Sequence, residues 1–286
     1  MALALDLWLR VSVQPLTAGA ESIKVEGEGA NEIGMDAGNR FLIGLEQGLE
    51  EFGLEPPVMQ IEMTNEIPLA RGLGSSAAAC VAGLLAAEAL AGEELDRARL
   101  LDIATRVDGH PDNVSAALHG GFVIVARGEE GANAARFDPP GSIMAALFVP
   151  DLPLRTERMR QALPKAVPHT DASHNAARAA LVAVALSAGR LELLSAMDED
   201  RLHEPYRVDA FPQFREIAAA AREAGALGAA LSGAGSTIIA LADGADAAER
   251  AAAAMGRRAH AMGLAGSSRV TRPSLSGAAR LEASVV

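Results

Sequence analysis

Cysteine is nearly absent, with Cys80 the only one in 286 residues. Disulfides within the chain and metal clusters built on thiolates are therefore excluded. Cys80 itself lies inside an apolar run and reads as a small buried hydrophobe rather than a nucleophile. Lysine is almost as scarce. Lys24 and Lys165 are the only two, so nearly every positive charge is arginine, and lysine-based Schiff-base or phosphate-loop chemistry has just those two candidates. Aromatics make up 3% of the chain, which leaves alanine, leucine and valine to fill the interior. Basic charge is also lacking overall. A formal net charge of -12 argues against a nucleic-acid or anionic-membrane surface, although a few arginines and backbone amides can still hold a nucleotide. No run reaches the ~18 uninterrupted apolar residues of a membrane span. The opening "MALALDLWLRVSVQ" carries Asp6 and neither a basic leader nor a cleavage site. A signal peptide is not expected, and a cytoplasmic globular protein is.

What is present is a mixed pattern of strands and helices. Alternation predicts strands over Leu3–Val13, Ser22–Gly29 and Pro57–Thr64, and a buried strand over Gly120–Ala126. Helical spacing covers Asp36–Phe52, Ser76–Leu90 and Glu94–Val107, with "GHPDN" read as a turn. A glycine- and proline-containing bridge, "RGEEGANAARFDPPG", precedes a strand over Ile143–Pro150. Beyond it lie helices at Thr156–Leu163, Asp171–Ser187, Pro212–Ala224 and Ala245–Met262, a strand–glycine turn–strand in "GALGAALSGAGSTIIALADG", and a short strand near Arg269. A boundary near Pro150 divides the chain into domains 1–150 and 151–286. The clustering suggests an α+β fold rather than a doubly wound sheet.

The most informative stretch is "IPLARGLGSSAAACVAGLL", where Gly72 and Gly74 precede Ser75 and Ser76 at the mouth of an alanine-rich helix. Glycines let a backbone approach an anion, and first-turn amides backed by the helix dipole then point at it. Ser76 can reach a phosphate oxygen or a divalent cation. The lysine phosphate loop is absent, since no lysine lies within forty residues of Gly74, and Ala77 stands where a dinucleotide fingerprint needs its third glycine. On the loop alone, a serine N-cap and an anion cradle explain the residues equally well.

Three further stretches are polar in ways a core does not require. "DGHPDNV" gathers Asp108, His110, Asp112 and Asn113; carboxylates beside a phosphate loop suit Mg²⁺, and a capped proline turn would also suit them. "DASHNAARAAL" sets Asn175 and Arg178 on one helical face, and "DRLHEPYR" places Arg201, His203, Tyr206 and Arg207 around Pro205. An arginine pair suits a carboxylate or a phosphate, though each arginine singly fits a surface role. "LSGAGSTIIAL" is a second glycine turn that a tight hairpin also explains.

Together and in this order, these stretches resemble the GHMP kinases. "PLARGLGSSAA" is similar to their ATP-binding motif and "LSGAGSTIIAL" to their glycine-rich third motif, while "GHPDNVSAALHGGFVI", "LPKAVPHTDASHNAARAAL" and "DRLHEPYR" resemble homoserine kinases in particular. The resemblance implies an α+β fold of two lobes, a ribosomal protein S5 domain 2-like N-terminal lobe and a ferredoxin-like C-terminal lobe, with ATP and homoserine meeting between them. It implies transfer of the γ-phosphoryl of ATP to the homoserine hydroxyl, a step toward threonine. Another small-alcohol kinase, or a nucleotide-binding protein of this fold with impaired catalysis, is the alternative. By the family pattern Pro68, Leu69, Ala70, Arg71, Gly72, Leu73, Gly74, Ser75, Ser76, Ala77 and Ala78 wrap the triphosphate, and Asn39 in "GNRF" lies near the adenine. Ser76 and Asp108 would hold Mg²⁺, with Asp108 in a place where the family often has glutamate. Asp112 and Asn113 would meet the amino and hydroxyl end of homoserine, Arg178 and Arg207 its carboxylate, and Gly233 the adjoining loop. Asp112 is the nearest candidate for a base. The resemblance allows a homodimer. The family's first motif, Pro-x-Ser-x-Asn-Leu-Gly-x-Gly-Phe-Asp, has no counterpart before "MALALDLW", so a strand and one wall of the substrate pocket are expected to be missing.

Overall fold

The computed structural model describes residues 1–17, 19–128, 131–152, 154 and 156–281, and it divides into two compact units. The first comprises Met1–Pro68, Gly74–Arg136 and the tail from Ser274; the second comprises Leu69–Leu73 and Phe137–Pro273.

In the first unit the elements run β1 (Ala2–Leu3), β2 (Leu9–Pro15), β3 (Ser22–Gly27), α1 (Arg40–Glu51), β4 (Met59–Asn65), α2 (Ser75–Ala91), α3 (Arg97–Asp108), α4 (Pro111–His119), β5 (Phe122–Gly128) and β6 (Gly131–Phe137). One sheet has the order β2-β4-β3, with β2 antiparallel and β3 parallel to β4; a second has the order β1-β5-β6. Alternation in "MQIEMTN" buries Met59, Ile61, Met63 and Asn65 on one face of β4, where Phe41, Leu45 and Leu49 of α1 cover them. The α1 and α2 backbones touch through glycine. A Cβ at Gly44 would stand 2.3 Å from the Cys80 carbonyl oxygen, and one at Gly83 would stand 2.1 Å from that of Phe41. The far side of α2 packs on Leu100, Ile103, Val114 and Leu118, so this alanine-rich helix is buried nearly all round.

In the second unit follow β7 (Ile143–Pro150), α5 (Thr156–Gln161), α6 (His169–Ala188), a 3-10 segment (Leu191–Asp198), α7 (Glu204–Arg207), α8 (Phe214–Glu223), β8 (Gly228–Leu231), β9 (Ile238–Asp243), α9 (Ala245–Ala261) and β10 (Gly266–Thr271). Its antiparallel sheet has the order β10-β7-β9-β8. Phe148, Phe211, Phe214, Ile217, Ile238 and Met255 form the core between this sheet and α8 and α9. The tail from Ser274 then runs along the first unit. Gly121 N–H donates to the Ser274 carbonyl, Ser274 N–H to Ala4, and Ala278 N–H to Ala117. Among the described residues no helix is long and apolar enough to cross a membrane.

Three sequence expectations need correction. Leu3–Val13 is not one strand, because Trp8 and Asp6 turn the chain between β1 and β2, with the indole Nε1 donating to Asp6 at 2.6 Å. The "GHPDN" turn is confined to Gly109 and His110, and Pro111, Asp112 and Asn113 already form the first turn of α4, since Pro111 at a helix start has no N–H to lose. The bridge before Ile143 contains strand β6, whose small, alternating residues hid it; Glu129 and Glu130 lie outside the described residues.

Candidate active site

The glycine loop begins where β4 ends. Asn65, 4% exposed, accepts from Ile67 N–H at 3.0 Å and donates to the Glu28 and Ile67 carbonyls, which fixes how the chain leaves the strand. Ala70, Gly72 and Gly74 then take φ of +53°, +78° and +76°. At Gly72 no side chain fits, for a Cβ there would lie 2.1 Å from the Ser232 carbonyl oxygen. The loop is tied to the β8–β9 turn by Ser232 Oγ donating to the Gly72 carbonyl (2.8 Å) and Thr237 N–H to that of Arg71 (3.0 Å). Arg71 spends its guanidinium on the carbonyls of Leu69 and Pro150. Its role in the structure is to shape the loop.

At the end of the loop the mouth of α2 is open. Gly74, not a serine, is the N-cap of α2, and no side chain caps it. The first intrahelical bond runs from Ala78 N–H to the Gly74 carbonyl, which leaves the amides of Ser75, Ser76 and Ala77 pointing out of the helix. Of the two readings the loop allowed, the serine cap is the one the geometry removes. Ser76 Oγ donates instead to Asp108 Oδ1 at 2.6 Å, joining the first turn of α2 to the last residue of α3. Arg40 anchors the same end of α3 through Val107 O at 3.0 Å. Asp108 and Ser76 offer hard oxygen donors beside free amides, a set that fits a magnesium ion sharing its remaining positions with phosphate oxygens and water. Among the described residues no three or more His, Cys, Asp or Glu side chains gather into a metal set of their own.

Asp112 and Asn113 stand half-buried in the first turn of α4, whose N-cap, His110, does not cap the helix through its side chain. The Asp112 carboxylate lies 3.8 Å from the Met1 amino group. Asn39 caps α1, accepting from Phe41 N–H at 3.0 Å and donating to the Gly34 carbonyl at 2.8 Å. In this structure it anchors a loop to the start of α1.

In the second unit the two arginines differ. Arg178 donates to the carbonyls of Ser195 and Ala196 and pairs with Glu199 at 3.3 Å, so it holds the end of the 3-10 segment. Arg207 is 7% exposed; its Nη1 donates to the Gly233 carbonyl at 2.9 Å and its Nε reaches that of Met159 at 3.4 Å. Burial pulls its pKa down against the opposing charges of Asp200 and Glu204, yet a guanidinium remains ionised. Arg207 and Gly233 are therefore brought together, as are Gly233 and Gly72, while Arg178 is engaged elsewhere.

Sequence reasoning passed over two carboxylates. Asp200 accepts hydrogen bonds from Asn175, Leu202, His203 and Glu204. Burial pushes its pKa up, but these bonds outweigh it and hold the group well below the usual carboxylate range. Burial raises Glu204 to about 7, partly offset by the hydrogen bond from Leu231 N–H. In the sequence both sit in a charged run, "DEDRLHE", that reads as solvated surface; a half-buried turn is invisible to periodicity.

The GHMP kinases N terminal domain family matches residues 39–121, and the GHMP kinases C terminal family matches residues 180–261. A homoserine kinase from Streptomyces coelicolor is 42% identical over 259 residues, 90% of this chain and 82% of that protein. One from Thermus thermophilus is 43% identical over 242 residues, 85% of this chain and 80% of that protein. The crystal structure of homoserine kinase from Cytophaga hutchinsonii superposes with a TM-score of 0.85 at 28% identity, covering 96% of this chain and 89% of that one. The chain belongs to the GHMP kinases, within the homoserine kinase family.

Proposed function

We propose that the protein transfers the γ-phosphoryl group of ATP to the hydroxyl of L-homoserine. The observation that carries this reading is the uncapped mouth of α2, with three outward amides beside the Ser76–Asp108 pair. The homoserine hydroxyl oxygen forms a bond to the γ-phosphorus as the bond to the β,γ-bridging oxygen breaks, ADP leaves, and the hydroxyl proton passes to Asp112, the nearest base. Such a transfer needs positioning and charge neutralisation more than covalent participation. The backbone from Pro68 to Ala78, with the α2 dipole behind it, holds the phosphates. Ser76 and Asp108 would hold magnesium, which would neutralise phosphate charge when bound. Asp112 and Asn113 orient the hydroxyl end of the acceptor; Arg207, beside Gly233, takes its carboxylate, while Arg178 holds the 3-10 segment that precedes α7. Asn39 lies toward the adenine. The homodimer and a cytoplasmic location belong to the same reading.

The test measures ADP release with homoserine, galactose and mevalonate as acceptors, then repeats it for Asp108→Asn across a magnesium titration. Homoserine is the acceptor expected to turn over, and the variant should need about 10–100-fold more magnesium. Turnover of another alcohol in preference to homoserine would overturn the substrate assignment, and an unchanged magnesium requirement would overturn the metal site.

A further inference from the structure

Arg207 works in this reading only if its guanidinium is held still, and α7, which carries it, has just four residues. A helix that short has no stability of its own. Its order comes from the turn before it. Asp200 Oδ2 accepts from His203 N–H (2.7 Å) and Glu204 N–H (2.6 Å), while Oδ1 accepts from Leu202 N–H (3.2 Å) and faces His203 Nδ1 at 3.1 Å. Oδ1 also takes Asn175 Nδ2 from α6 at 2.5 Å, and Asn175 Oδ1 in return accepts from Arg201 N–H at 2.8 Å. The Asn175–Asp200 clasp thus ties the turn to α6 at one end. At the other, Glu204 Oε1 accepts Leu231 N–H (3.0 Å) and Arg207 reaches Gly233. A carboxylate is required at the centre, because four different donors converge on two oxygens and none of them can accept back.

We propose that Asp200, clasped by Asn175, is a positioning residue that sets the Arg207 guanidinium for the acceptor's carboxylate. It touches neither substrate, and it acts through the backbone of residues 202–204 and through α7. Its depressed pKa keeps it charged across the working pH range, which the clasp needs. The proposal rests on the assignment of Arg207 to homoserine.

Asp200→Asn is the sharpest variant: the shape stays, but one oxygen becomes an NH₂ aimed at N–H donors. Its KM for homoserine should rise at least about 10-fold, with the KM for ATP changed less than about twofold, the size expected for one lost charge-assisted contact. Arg207→Ala must by itself raise the homoserine KM; if it does not, the Arg207 assignment fails, whatever Asp200 does. With that effect in place, a normal homoserine KM in Asp200→Asn would overturn the proposal. The double variant separates positioning from general structure. Combining Asp200→Asn with Arg207→Ala should add nothing to the loss from Arg207→Ala, whereas multiplying losses would show that Asp200 acts independently and overturn the proposal. Should Asp200→Asn fail to fold, Asn175→Ala removes one of its bonds and must give a smaller rise in the same KM; no rise there overturns the proposal.

Discussion

Gly72 and Gly74 offer a matched pair of substitutions that isolates one steric term. Both have nearly the same backbone, φ +78° and +76°. An alanine at either position takes on left-handed strain of about 1–2 kcal/mol, offset in part by about 0.4–1 kcal/mol from the stiffer unfolded chain. At Gly74 that is the whole effect, because nothing lies within 4 Å of its ideal Cβ. Gly74→Ala should therefore cost about 1 kcal/mol, or a fall in Tm of about 2–4 °C for a chain of this class. At Gly72 the Cβ meets the Ser232 carbonyl oxygen at 2.1 Å and backbone atoms of Gly235 at 2.9 and 3.0 Å. Since these are backbone atoms, the β8–β9 turn has to retreat. Retreat breaks the Ser232–Gly72 and Thr237–Arg71 bonds, each worth about 1 kcal/mol net and more where a donor is left buried. Gly72→Ala should thus cost about 3–5 kcal/mol in all, a Tm loss at least twice that of Gly74→Ala. Thermal melts followed by circular dichroism, run without ligand, supply the comparison. Equal losses in the two variants would refute the close approach of loop and turn.

Two further outcomes follow from burial. Glu204 is raised by burial to about 7, against an ordinary value of 4.5, so between those values the folded protein holds a proton that the unfolded chain releases. Stability from this group is full below about pH 4.5 and falls as pH rises toward 7, by an amount of order 1–3 kcal/mol. Glu204→Gln should flatten the dependence of the urea midpoint on pH between 5 and 8, and parallel profiles for variant and parent would refute it. Asp200 has the opposite sign and a lower window, since its depressed pKa adds stability that is lost only below the ordinary carboxylate range. Cys80, 0% exposed with its thiol pushed up to about 12 mainly by burial, should resist a disulfide reagent such as dithionitrobenzoate in the native protein and react once urea unfolds it. Rapid labelling of the native state would show that α2 is not packed as described.

Elements with strong periodicity were legible in the sequence. Phe41, Leu45 and Leu49 announce α1, and the alternation of "MQIEMT" announces β4, because each pattern is the face that packs. The glycine loop was legible as a loop at a helix mouth, but not as to purpose. Only coordinates show that Gly74 rather than Ser75 or Ser76 caps α2 and that Ser76 turns to Asp108. Pairings across long stretches of sequence left no local trace. Arg71 reaches Pro150, and Asn175 reaches Asp200, through contacts that depend on where two distant elements end. Arg178 is the clearest case. In the sequence it reads as one of an arginine pair suited to a carboxylate or a phosphate, and only the fold shows the Ser195 and Ala196 carbonyls and Glu199 around it.

The two units also exchange pieces of chain. The first needs the tail from Ser274, whose backbone pairs with Ala4, Ala117 and Gly121, and the second needs Leu69–Leu73, joined to the turn at Ser232 and Thr237. During synthesis the loop strand must therefore wait for a turn made about 160 residues later. Ala4 and Gly121, beside β1 and β5, wait for the tail to supply their backbone partners. Neither unit can be cut out as one continuous segment without losing part of its own scaffold. A ribosome that has released only the first 136 residues carries the phosphate loop's sequence, but not yet the turn that gives the loop its shape.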